Sequence, residues 1–338
     1  MAIDELSQTT ELRNYPEWGS VRGLSKDILP WRLWEKAKKL MWDPADLDFT
    51  EDAKQWAAMS MDQKVALFGL ATGFMVGEEG VTLDILPLVL AISDEGRTEE
   101  TMFLTTFVFE EAKHVDFFRR WFDGVGIDIE EMDVQRLDWL RAQGIEPLKP
   151  EERHFMFQSE LPRVMRRLIT DRSPEALLNA AVTYNQFVEG CLAIAGYRIW
   201  GNMFRDFGVL PALQEGLVLV QRDERRHIAY GTYLCRRILA ANPELYEFAE
   251  GRMRWLRDNY FGQLRVPGYG PEEETEGRAA QAAQAAPTLA AAFLPFVELV
   301  EQQVTRRIEV LSKARDVGAE EAEAGAEVEE TEEALEKV

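Results

Sequence analysis

Phe107-Val108-Phe109-Glu110-Glu111-Ala112-Lys113-His114-Val115 and Val220-Gln221-Arg222-Asp223-Glu224-Arg225-Arg226-His227-Ile228 are the two stretches on which the fold turns. Each carries Glu-x-x-His in an apolar setting. Residues three apart share one face of a helix, so this spacing aims a carboxylate and an imidazole at one spot. An unpaired carboxylate is costly to bury, so both pairs need cations, either basic side chains or metal ions. The spacing alone does not decide, because the chain has three histidines and each follows a glutamate at minus three. The third pair, Glu151 and His154, falls in Pro150-Glu151-Glu152-Arg153. Acids are expected there on dipole grounds, in a first turn close to solvent, and we read that pair as structural.

A repeat separates the three. Glu78, after Phe74-Met75-Val76-Gly77, lies 33 residues before Glu111, and Glu189, after Gln186-Phe187-Val188, lies 35 before Glu224. Counting 33 back from Glu151 reaches Phe118, so the third pair fails the test. Each half therefore supplies a helix with one inward glutamate and then a helix with Glu-x-x-His. Four carboxylates and two imidazoles from four helices are the donor set of the ferritin-like di-iron and di-manganese bundles. Two divalent cations would balance the carboxylates and leave the imidazoles neutral. Oxygen-rich donors without thiolate suit iron or manganese better than zinc or copper. Ion pairing is the weaker account because few basic residues share the inward faces, although Arg222, Arg225 and Arg226 lie close in sequence.

The surrounding chain reads as all-α, a four-helix bundle with accessory helices. Apolar residues recur at helical spacing, and no segment sustains the alternation of a strand. The spacing and breakers predict helices from Ser60, in a capping box with Gln63, to about Ser93, from Thr98 to about Phe122, and from about Met132 to Ala142. Further helices are expected from Pro150 to about Thr170 with a bend at Pro162, from Pro174 to near Gly201, and from Pro211 to Ala241. A final helix spans about Pro287 to Ser312. We divide the chain into an N-terminal segment with accessory helices (1–59), the di-metal domain (60–312) and an acidic, disordered tail (313–338).

Composition narrows the function classes. Among 338 residues, 60 acidic side chains face 38 basic ones, a formal charge of −22 that disfavours nucleic-acid and anionic-membrane binding. Two cysteines are too few for a disulfide framework. We expect a cytoplasmic protein, with no secretory signal and no transmembrane segment.

At Glu78, Glu111, His114, Glu189, Glu224 and His227 the chain resembles the ribonucleotide reductase small-subunit superfamily, and within it the ligand-binding oxidases with a heterodinuclear manganese/iron cofactor. The resemblance runs from about Ser60 to Ala241. It implies that Glu78, Glu111 and His114 bind the first metal, manganese, and that Glu189, Glu224 and His227 bind the second, iron, with Glu111 bridging. A di-iron pair is the alternative. Asp223 matches an aspartate that orients a ligand histidine. Val81, three after Glu78, and Tyr184, five before Glu189, match the residues that the family joins through a tyrosine–valine ether cross-link. On an α-helix, positions five apart point about 140° apart, so Tyr184 is expected to flank the site rather than share the face of Glu189.

The radical-bearing tyrosine of a conventional reductase subunit would stand at Phe118, and the tail lacks the aromatic residue by which such subunits dock. The resemblance further implies dioxygen as co-substrate, a long-chain fatty-acid-like ligand and a homodimer. Gly73, Gly77, Gly80, Gly190, Ala193 and Gly196 would leave either an apolar channel for that ligand or close helix contacts. The rival readings are a tyrosine-free reductase small subunit and, outside catalysis, a ferritin-like iron store.

Overall fold

The computed structural model describes residues 23–144, 147–149, 155–205, 209–264, 266, 269 and 287–313. Glu151 to His154, residues 1–22 and the acidic tail from 314 lie outside them. Among the described residues there is no strand. The helices are α1 (Leu29–Lys39), α2 (Thr50–Ala58), α3 (Met61–Asp84), α4 (Leu86–Asp94), α5 (Thr98–Val125) and α6 (Ile129–Ala142). They continue with α7 (Leu161–Arg167), α8 (Pro174–Ala181), α9 (Ile194–Arg205), α10 (Pro211–Ala241), α11 (Tyr246–Gln263) and α12 (Pro287–Ser312). The fold is a ferritin-like bundle of α3, α5, the continuous α8–α9 rod and α10, with the other helices wrapped around it.

Local chemistry sets most boundaries. Ser60 and Gln63 form the expected reciprocal capping box at the start of α3. Gly126, at φ 73°, ends α5 in the left-handed conformation that only glycine adopts at little cost. The single helix expected from Ser60 to Ser93 is instead two, because Pro87 has no N–H to continue α3 and takes an early position in α4. The helix expected through Pro162 opens as a π-helical turn, Met156–Glu160, and ends at Arg167.

The largest departure is in the third bundle helix. Between α8 and α9 the chain is π-helical over Val182–Ala193. In a π-helix the backbone bonds run between residues five apart, which brings such residues to one face. The 140° argument for Tyr184 and Glu189 therefore fails.

The core is layered along the helices. On α5, Phe103 and Phe107 belong to one hydrophobic cluster and Phe117, Phe118 and Trp121 to a second. On α10, Tyr230 and Tyr233 lie in the first, with Leu213, Leu217 and Val220 in the second. Glu111 with His114, and Glu224 with His227, fall between the clusters in sequence, so the polar layer is closed off on both sides. The start of α10 is tied from a distance. Leu210 sits at φ 55°, and the N–H groups of Ala212 and Leu213 donate to the buried Asp52 carboxylate of α2 at 3.1 and 2.9 Å. Trp121 Nε1 donates to the same group, so Asp52 anchors the helix that carries Glu224.

Gly231 of α10 is required by close approach, since a Cβ there would lie 2.0 Å from the Cβ of Asn185. We predict that Gly231→Ala lowers stability by at least about 1–3 kcal/mol through overpacking. Gly251→Ala on α11, where a Cβ meets nothing within 4 Å, should stabilise by roughly 0.5–1 kcal/mol. Thermal unfolding followed by circular dichroism checks both, and a Gly231→Ala variant as stable as the parent would contradict this packing.

Candidate metal centre

The six residues singled out by the repeat come together. Oxygen and nitrogen atoms of Glu78, Glu111, His114 and Glu224 lie within 4.8 Å of one another, as do those of Glu111, Glu189, Glu224 and His227. All are buried. Glu111 is shared by both groups, as expected of a bridge, and Glu224 is shared as well. His114 Nδ1 stands 3.2 Å from Glu78 Oε2 and 3.3 Å from Glu224 Oε1. His227 Nδ1 stands 2.9 Å from Glu111 Oε1, without hydrogen-bond geometry, and 3.7 Å from Glu189 Oε1. Both imidazoles thus turn Nδ1 towards the cluster of carboxylates.

Their other ring nitrogens are held by acids that precede the ligands of the opposite half. Asp223 Oδ2 lies 3.3 Å from His114 Nε2, and Glu110 Oε2 lies 2.9 Å from His227 Nε2. Arg226 bridges these two acids, donating to Glu110 and to Asp223 Oδ1 at 2.6 Å. Asp223 also accepts from Trp42 Nε1 at 2.7 Å and pairs with Lys113 at 2.7 Å. Asn185 donates to Glu189 Oε2 at 2.9 Å. Asp223 was foreseen from the sequence and Arg226 was noted only as a nearby basic residue; Glu110, Lys113, Trp42 and Asn185 were not foreseen. An acid stands immediately before the glutamate in both Glu-x-x-His motifs, and that parallel was the available signal for Glu110. The scarcity of inward basic residues is corrected too, since Arg226 and Lys113 are buried in the layer.

Electrostatics fit a site made for cations. Burial, reinforced by the charge of Glu224, pushes Glu111 well above the usual carboxylate range. The same two causes push Glu189 up to about 8. Burial would also raise Glu224, but the imidazoles of His114 and His227 beside it outweigh burial and hold the group at about 2. Burial disfavours charge on both imidazoles, yet the surrounding carboxylates raise them well above the usual histidine range. The protein alone therefore gathers protons where its acids crowd. Ligands must be deprotonated to bind a metal, so metal ions in these positions would displace those protons, and affinity would rise with pH. The donor set, two imidazoles and four carboxylates with Glu189 Oε1 and His227 Nδ1 lacking hydrogen-bond partners, suits a pair of divalent cations.

Tyr184 is inside the site. Its hydroxyl donates to Glu111 Oε1 at 3.0 Å, a consequence of the π-helical turn. Burial, with the negative charge of Glu111, pushes the phenol well above its usual range. A cavity of about 360 Å³ opens on Glu78, Glu111, Glu189 and Glu224 and is also lined by Val81 and Tyr184. The small residues serve both roles. Gly73, Gly77, Ala193 and Gly196 line the cavity, while a Cβ on Gly77 or Gly80 would crowd Phe157, one on Gly196 would crowd Phe74, and one on Gly190 would crowd Arg307. Phe118 is buried and stacks on Phe74, with ring centroids 5.9 Å apart.

A sequence model of the ribonucleotide reductase small-chain family matches residues 26–254. Among solved structures, an R2-like ligand-binding oxidase from Sulfolobus acidocaldarius is 32% identical, superposes with a TM-score of 0.72, and is covered over 97% of its chain by 90% of this one. A variant R2-like ligand-binding oxidase with an anaerobically reconstituted Mn/Fe cofactor is 31% identical with a TM-score of 0.70, over 86% of this chain and 97% of that one. The chain belongs to the R2-like ligand-binding oxidases, within the ribonucleotide reductase small-chain family. As a member of this oxidase family it is an oxidoreductase. No helix among the described residues is long and apolar enough to cross a membrane.

Because Glu111 and Glu224 enter both donor groups, we predict that Glu111→Ala or Glu224→Ala abolishes binding in at least one metal position, with no spare ligand to compensate. His154→Ala should leave metal content unchanged. Elemental analysis of anaerobically loaded protein checks this, and an empty site in His154→Ala would overturn the repeat argument.

Proposed function

We propose that the chain is a dioxygen-activating oxidase with one manganese and one iron per subunit, and that it takes a long-chain, fatty-acid-like carboxylate in the cavity. The observation that carries this reading is the pair of overlapping carboxylate–imidazole donor groups at the floor of a largely apolar cavity. Glu78, Glu111, His114 and Glu224 would hold one metal, and Glu111, Glu189, Glu224 and His227 the other. Bound there, the metal pair supplies the redox chemistry by which dioxygen is reduced and hydrogen is taken from an unactivated C–H bond. Asp223 and Glu110 fix the orientation of the two imidazoles, keeping Nδ1 toward the metals. The aromatic layers above and below exclude water, so charge on the ligands is felt strongly.

Val81 and Tyr184 would be the first pair oxidised. Val81 lies one helical turn beyond Glu78 and is buried, and the Tyr184 hydroxyl is held at Glu111. Joining Tyr184 Oη to Val81 Cβ breaks one O–H and one C–H bond, and two protons and two electrons leave. Dioxygen is the electron acceptor. Glu111, which already accepts the phenolic hydrogen bond, is placed to receive the tyrosine proton. The reading includes a homodimer in the cytoplasm, in keeping with the family and with a chain of two buried free cysteines.

Oxygen exposure of the manganese/iron-loaded protein should lower its intact mass by two hydrogens and link the peptides containing Val81 and Tyr184. Tyr184→Phe should bind both metals and never lose that mass. Separate, unmodified peptides after full loading and exposure would contradict the cross-link and favour a tyrosine-free reductase small subunit.

A further inference from the structure

A second pocket, of about 130 Å³, lies between α9 and α10 and shares no lining residue with the cavity of the metal centre. Gln214, Gln221 and Arg225 recur at helical spacing along one face of α10, and Tyr197, Arg198 and Trp200 of α9 face them across the groove. Tyr197 and Trp200 are buried, so the floor is aromatic, whereas Arg198, Gln221 and Arg225 are half-buried. Arg198 and Arg225 have neither an ion pair nor a hydrogen bond among the described residues. In a chain with 60 acidic side chains against 38 basic ones, an arginine finds a carboxylate easily, as Arg120 does in Asp116, Arg136 in Asp133 and Arg254 in Glu250. Two unpaired arginines on one small pocket therefore call for a reason. Burial and the charge of Arg306, a third arginine, from α12, hold Arg198 below the usual guanidinium range. Like charges so placed repel, and an anion between them removes the repulsion.

We propose that this pocket binds a phosphate group, gripped by the guanidinium groups of Arg198 and Arg225 with the amide of Gln221 as a further donor. A guanidinium offers a planar fork of N–H groups that meets two oxygens of an oxyanion at once. Two arginines balance one phosphate dianion, so a carboxylate, with a single charge, is the poorer match. The pocket has room for several water molecules, and hence for one phosphate group. Val218 on its rim is exposed, so the body of a phosphate monoester can stay outside while its phosphate enters. The site needs no metal, and it stands apart from the oxidase reading.

Calorimetric titration of the full chain with inorganic phosphate, in a buffer free of other oxyanions and with the chain both metal-loaded and metal-stripped, tests it. One phosphate should bind per chain in both forms, with an affinity that falls as salt rises, and acetate should bind at least roughly tenfold more weakly. Arg198→Met on α9 and Arg225→Met on α10 should each weaken phosphate roughly ten- to a hundredfold. Arg198→Lys should keep part of the affinity, because lysine retains the charge but not the fork. Without phosphate, both methionine variants should unfold at the parent's temperature or above, since like charges are removed, and phosphate should raise the unfolding temperature of the parent alone. Glycerol phosphate run in parallel separates the sources: affinity equal to or above that of inorganic phosphate assigns a monoester, and lower affinity assigns the free ion. No saturable binding, binding confined to the metal-loaded chain, or equal affinity in the parent and both methionine variants would overturn the proposal.

Discussion

Six carboxylates buried in one layer of a helical bundle are the constraint to which the rest of this structure answers. Glu78, Glu111, Glu189 and Glu224 converge, and Glu110 and Asp223 stand directly behind the imidazoles. Left without cations, such a layer would cost far more than a bundle of this size can spare. Arg226 and Lys113 answer for the outer two acids. The inner four, with proton affinity raised at Glu111 and Glu189 and lowered at Glu224, are the mark of a site completed by metal ions. The aromatic clusters on either side close the layer off from water. Asp52, which holds the start of α10, and Gly231, which admits Asn185, keep the helices in register across it.

The π-helical turn is the second device. It replaces the regular third helix over twelve residues and brings Tyr184 and Glu189 to the same face. A regular α-helix would have turned the phenol away from Glu111. The same turn sets Asn185 on Glu189 and, through Gly190, receives Arg307, so one local change of helical pitch places the phenol, the amide and the guanidinium together.

Much of this was legible in the sequence because the donors obey spacing rules. Glu-x-x-His fixes two ligands on one face, and the interval back to Glu78 and Glu189 is a helix–turn–helix length that Glu151 and His154, which lie outside the described residues, do not share. Proline placed the ends of α10, whereas α5 runs past the expected end near Phe122, through Gly124, to Val125 and closes at Gly126. The π-helical turn was not legible, and the reason is physical: every residue from Val182 to Leu192 is buried, so no polar face remains whose period could tell a π-helix from an α-helix. Glu110 was hidden because two adjacent glutamates look like an ordinary solvated pair. Trp42 reaches Asp223 from a segment 181 residues away, and no local pattern encodes that contact. Whether Gly80 and Gly190 line a channel or make close helix contacts stayed open, since sequence shows a missing side chain but not what fills its place.

The claim at the centre of this account is that the chain gathers protons on acids and imidazoles that a metal pair then displaces. Anaerobic calorimetric titration of the metal-stripped protein with manganese(II) and iron(II), repeated in two buffers of different protonation enthalpy, measures it most directly. The account predicts saturation at two metal ions per chain with net release of protons, the affinity rising with pH as Glu111, Glu189, His114 and His227 give theirs up. Binding without proton release, or no saturable binding, would contradict it.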